Sequence, residues 1–278
     1  MLCKIRKTTA AVGLFLILSF VLVSLPEIGI VKASGTIYIR SDGSVEGTDK
    51  IQRNGNIYTF TSDISGSIGV QKSFITLEGS GYTLQGSGEY PERGIDLSNN
   101  RNTDPSRPQI VNVTIKNLRI VDFSTAIFCS ATSNNTILSN YIAGCHTGID
   151  VLGASNNLIK LNTFENNTND IAISYSRGGN QVITQNNIDN FVQVWLSDQP
   201  IIDMNYWTNY NGTDSDGDGI GDTPYIIHEN PQDNHPLMEP VPVIPEFPSW
   251  TPLLIMLLAV IAVAAIYKRK LQNQERRK

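Results

Sequence analysis

The chain has 278 residues, 40% hydrophobic and 17% charged, a size and composition that fit one β domain with sorting segments. Between Ser34 and Pro245 there are 11 Lys and Arg against 23 Asp and Glu, a net of −12. So acidic an exterior excludes nucleic acid as a partner and argues against direct adsorption to anionic lipid.

Lys4, Arg6 and Lys7 precede an apolar run from Thr9 to Leu25, followed by Pro26 and the small-residue site Val31-Lys32-Ala33. Residues 1–33 therefore read as a signal peptide, with an uncleaved anchor as the alternative. In either case the positive flank stays inside and the following chain goes outside.

Residues 34–207 read as stacked strands. TIYIR, IYTF and SFITLEG are strand-like, and Gly79, Gly81, Gly86 and Gly88 punctuate the turns of irregular early coils. Arg93-Gly94-Ile95-Asp96-Leu97 anticipates Gly148-Ile149-Asp150-Val151, and the polar segment Ser98 to Pro108 reads as a loop. Beyond it Asn117, Asn140, Asn162 and Asn186 recur at spacings of 23, 22 and 24 residues. A unit of that length cannot bury its own apolar face, so units must stack. Short Ile, Leu and Val strands broken by Asn and Gly turns stack as a parallel β-solenoid. The four asparagines are expected to form one ladder, each amide bonding its copies about 4.8 Å above and below. They are also expected to take the left-handed conformation at the corner. Ile115, Ile137, Ile159 and Ile183 should make one inward stack, and Ile127, Ile149, Ile171 and Val192 another. Cys129 and Cys145 fall at different points of the coil, an offset that disfavours a disulfide.

Residues 208–238 form a cap, with Trp207, Tyr206 and Tyr210 expected to plug the last coil. The cap holds the main chemical motif, Asp214, Asp216, Asp218, Ile220 and Asp222. Carboxylates at relative positions 1, 3 and 5, with Gly219 at position 6, converge oxygens on a hard cation. Ile220 would add a backbone carbonyl and Asp222 a further carboxylate. Position 12 is Tyr225, so the bidentate Glu of an EF-hand is absent, and the expectation is a structural calcium site. An acidic surface turn without an ion is the alternative. Residues 239–249 are a Pro-rich linker, residues 250–267 an apolar stretch long enough to span a bilayer, and residues 268–278 a basic cytoplasmic tail.

The segments GTIYIRSDGSVEGTDKIQRNGNIYTF, ITLEGSGYTLQG, NVTIKNLRI and NYWTNYNGTDSDGDGIGDTPY together resemble archaeal NosD-like proteins, across about residues 36–238. These belong to the pectin-lyase-like group of carbohydrate-binding proteins and sugar hydrolases. The resemblance implies an all-β fold with a single right-handed parallel β-helix. It also brings copper, since NosD is associated with copper-site assembly in nitrous oxide reductase. Pro245-Glu246-Phe247, the apolar span and the basic tail resemble the PEF-CTERM sorting tails of archaeal surface proteins, which implies removal of the span by a sortase-like enzyme.

Outward Tyr141, Tyr175 and Trp195, with Phe128, could form a sugar-stacking strip. No column of acidic residues supports a hydrolase, because Phe128 and Ala172 interrupt the row that holds Asp96 and Asp150. Copper ligands would have to come from His146, His228, His235, Met204 and Met238, which form no recognised cluster. The sequence thus predicts a cell-surface β-helix, membrane-anchored at its C-terminus, with an extracellular exodomain in a structural or glycan-binding role. Surface glycans or surface-layer proteins are the expected partners. A polysaccharide hydrolase or lyase and a copper-handling accessory protein are the alternatives.

Overall fold

The computed structural model describes residues 35–242, except 102–103, 176–178, 196–199 and 228–230. The signal peptide, the span at 250–267, the basic tail and His228 lie outside the described residues. Among the described residues, no helix is long and apolar enough to cross a membrane.

The described chain is a parallel β-solenoid of the right-handed type with three sheets. Each coil lays one strand in each sheet. In a middle coil, Thr125–Ser130 lies in the first sheet, Thr136–Leu138 in the second and Tyr141–Ala143 in the third. The chain then returns to the first sheet as Thr147–Leu152.

Register follows the sequence period. Ile115, Ile137, Ile159 and Ile183 pair in turn across the second sheet, and all are fully buried. Ile127, Ile149, Ile171 and Val192 do the same across the first. Each such side chain contributes about 1.5–3 kcal/mol by leaving water. β-Branched residues suit these columns because the pleat already accepts their restricted χ1.

The early coils are more regular than the sequence suggests. Ile37–Ile39 already pairs in parallel with Ile68–Val70, and Ile68 pairs with Ile95. What is irregular is the start of the stack. Two antiparallel pairs, Ile39 with Val45 and Ile51 with Phe60, close the first coil of the first and second sheets. They cover strand edges that would otherwise be open.

The Asn ladder stands at the corner between the second and third sheets, with membership different from that predicted. Asn162 Oδ1 accepts from the backbone N and the Nδ2 of Asn140, at 2.9 and 3.0 Å. Asn186 receives the same pair from Asn162, and Asn205 from Asn186. Asn117 is not a rung. The N–H that bonds Asn140 Oδ1 belongs to Leu118, and Asn117 donates its Nδ2 to Glu78. The left-handed backbone also falls one residue before each rung, at Asn117, Ser139, Leu161, Gln185 and Met204, with φ between 54° and 58°. The corner needs one residue to turn the chain and the next to bond along the axis. Asn117 does the first job.

The stack ends on a buried carboxylate. Asp233 accepts from the backbone N–H groups of Met204 and Asn205, from Asn205 Nδ2 and from Trp207 Nε1, at 2.9–3.2 Å. Trp207 is buried and stacks on Tyr225, with centroids 4.2 Å apart. The plug is therefore Trp207 with Tyr225, and Tyr210 meets Tyr225 edge-on.

Candidate functional site

The Asp-rich loop is built on glycines. Gly217 and Gly219 have φ of +76° and +84°, a conformation only glycine adopts without strain. Asp214 accepts from Gly217 N at 2.8 Å and Gly219 N at 3.0 Å, which curls the loop around its carboxylate. One carboxylate oxygen each from Asp214, Asp216 and Asp218 lies within 4.8 Å of the others. The loop is held to the body by Gly221 N donating to Pro236 O and Met238 N to Gly219 O. Asp222 stands outside this group, while Ile220 adjoins it, its backbone N donating to Asp218 Oδ1 at 2.8 Å. Asp222 Oδ2 accepts from Ser215 Oγ, Thr213 Oγ1 and Ser215 N, and the two hydroxyls hold its carboxyl below the usual range. Asp222 thus braces the loop. Three converging hard oxygens fit calcium or magnesium by donor chemistry.

The expected aromatic strip is divided. Tyr141 lies in the third sheet beneath the Arg119 guanidinium, 4.2 Å from the ring centroid, and donates to Glu165 at 2.6 Å. Phe128 is buried under Arg93. Only Tyr175 and Trp195 stand together, at the edge of the first sheet. They are 63% and 51% exposed, and their rings stack with centroids 5.9 Å apart. Tyr175 has φ of +55°, at the corner where the coil before it has Gly153. A bulky residue there is strained by about 1–3 kcal/mol, and such strain concentrates at functional positions.

The outer row of the first sheet runs Tyr38, Gly69, Asp96, Phe128, Asp150, Ala172 and Gln193. Arg93 pairs with Asp96 at 3.0 Å and lies 3.6 Å over Phe128. Burial pushes the Asp150 carboxyl up, with Arg93 acting against it. Asp96 and Asp150 are two coils apart with Phe128 between them, so they form no close carboxylate pair.

Residues 23–213 match the family described as periplasmic copper-binding protein (NosD). The chain belongs to the NosD family. No curated protein and no solved structure matches it. The copper in the NosD description can be tested against the donors on this chain. His235 Nδ1 lies 2.8 Å from Asp203 Oδ1, and His146 stands exposed at another level of the solenoid. Cys129 and Cys145 are buried free thiols, and burial raises the Cys145 thiol to about 11. Among the described residues, the one group of three such donors is the Asp214 triad, whose hard oxygens do not suit copper. Among the described His, Cys, Asp and Glu side chains, no converging set suits copper.

Three features escaped sequence reasoning. Asn205 follows Asn186 by 19 residues, off the period, and Asp233 lies in the cap with no repeat to align it. The Arg93 stack on Phe128 joins two coils and left no local signal.

Proposed function

We propose that this NosD-family protein is an exported, cell-surface β-helix, anchored in the membrane through residues 250–267, that binds cell-envelope glycan. The solenoid is the scaffold and the Tyr175–Trp195 pair is the contact. The observation that carries the reading is this pair: two large rings more than half exposed, stacked together, one of them on a strained corner. Sugar rings present C–H faces that pack on aromatic faces, while their hydroxyls stay in water. Calcium at Asp214, Asp216 and Asp218 stabilises the cap without taking part in recognition. The family's periplasmic description supports export, and the apolar stretch after the Pro-rich linker supports the anchor.

The test is co-sedimentation of full-length protein with insoluble envelope polysaccharide. Trp195→Ala should weaken retention about tenfold, equivalent to about 1.4 kcal/mol, and Tyr141→Ala should not. Equal retention of the Trp195 variant and the parent would defeat the reading.

A further inference from the structure

The outer face of the first sheet holds a cleft that neither the Asp-rich loop nor the Tyr175–Trp195 pair uses. It has a volume of about 440 Å³, within the range of small-molecule sites, and is lined by Tyr38, Gly69, Gln71, Glu92, Arg93 and Asp96 among others. Its floor follows from one register row, in which Tyr38, Gly69 and Asp96 are successive. A Cβ on Gly69 would stand 2.9 Å from the Tyr38 ring, so the glycine lets that ring lie against the sheet. Arg40 stacks on Tyr38 with its Cζ 4.2 Å from the centroid and is ion-paired with Glu46. Beside the cleft, Arg93 stacks on Phe128 and is ion-paired with Asp96. The cleft thus lies between two guanidinium–aromatic stacks.

Its walls are fixed. Glu92 Oε2 accepts from the N and Oγ of Ser87, both at 2.7 Å, which pins the turn between them. On the loop side, Ser98 N donates to Asp96 Oδ1 at 2.7 Å and Asn99 Nδ2 to Pro108 O at 3.2 Å. Pro91 lines the cleft, and Tyr90 next to it is 86% exposed.

The charges select the ligand. Each guanidinium is already matched by a carboxylate, and Glu92 adds a further negative charge, so an anion is disfavoured. An apolar ligand would strip water from these groups and return no hydrogen bonds. Hydroxyls can donate to Asp96 and accept from Arg93 at once, and fixed planar side chains suit neighbouring hydroxyl pairs. The geometry points to a binding site for a short neutral oligosaccharide in this cleft, held by Arg93 and Asp96. The site rests on the glycan reading above but is separate from the Tyr175–Trp195 pair.

Calorimetry on full-length protein with cellotetraose, mannotetraose and chitotetraose, and tetragalacturonate as the acidic comparator, tests it. Ser67 lines the cleft, and its backbone carbonyl accepts from Ile37 N at 2.7 Å, a bond that a side-chain change retains. Ser67→Trp should fill the space and weaken the best neutral ligand at least tenfold with melting unchanged, and Gln71→Ala should weaken it less. Trp195→Ala should leave this binding intact. Binding lost in the Trp195 variant but retained in Ser67→Trp would overturn the cleft and leave the aromatic pair standing. Tighter binding of tetragalacturonate, or no binding of any neutral probe, would also overturn it.

Discussion

Asn162 shows how much one side chain can carry in a solenoid. Its amide donates to Ile137 O, Lys160 O and Asn186 Oδ1, accepts twice from Asn140, and is fully buried. Asn162→Ala leaves backbone groups in two coils unpaired and should cost about 1–3 kcal/mol in denaturant unfolding. Asn117→Ala should cost less, because that position turns the chain and bonds a partly exposed Glu78. Equal losses at the two positions would mean that the corner turn matters as much as the rung. Asp150 gives the pH prediction. Burial raises its folded-state pKa above the ordinary value of about 3.9, so the folded state holds the proton more tightly than the unfolded chain. Its contribution to stability is present below pH 4 and is lost as pH rises through the folded pKa. Asp150→Asn should therefore shrink the fall in melting temperature between pH 4 and pH 7. An unchanged fall would place the pH dependence in other carboxylates.

At the scale of elements, the two ends of the stack are closed by different means. Antiparallel pairing covers the first coil, whereas the last is closed by Asp233 and the stacked Trp207 and Tyr225. Along the Asn ladder each Nδ2 donates to a carbonyl of the coil before and to the Oδ1 of the next rung, and on the last rung, Asn205, the Asp233 carboxylate takes the place of that Oδ1. The Asp-rich loop hangs from this cap. Its three carboxylates repel one another without a cation, and an ion bound only to the folded state stabilises by about 1.4 kcal/mol at ten times its dissociation constant. Melting temperature should therefore rise with calcium at millimolar concentration and rise less with magnesium, which demands octahedral geometry. Asp216→Ala with Asp218→Ala should abolish the shift. An equal calcium response in that double variant would place the ion elsewhere.

The described solenoid behaves as a stack of near-identical layers. Thr136 pairs with Leu158 and Ile137 with Ile159, so residues 136–157 make one complete turn in register. Removing them should join Asn135 to Leu158 without moving any inward column to the outside, since side chains alternate with period two. The shortened protein should fold with an unchanged far-ultraviolet β spectrum and melt somewhat lower. Deleting one residue fewer should shift the register and fail to give soluble protein. Equal solubility of the two deletions would argue against a register-locked stack.

The sequence by itself determined the solenoid, its period and both inward columns, because an apolar residue recurring every coil must face the same side of every layer. It also supplied the Asp-rich loop, whose ligands lie within a few residues of one another. The tertiary structure decided everything that joins distant segments. It made Asn117 a turn residue and carried the ladder to Asn205 and Asp233, since one residue turns the corner and the next bonds along the axis. It put Tyr141 on a different sheet from Trp195, because a coil of three sheets points outward residues in three directions. It also placed Arg93 over Phe128 across a coil boundary and so shaped the cleft. Local spacing fixes which side chains point inward. Which outward side chains meet depends on how coils of unequal length wrap, and that appears only once they are stacked.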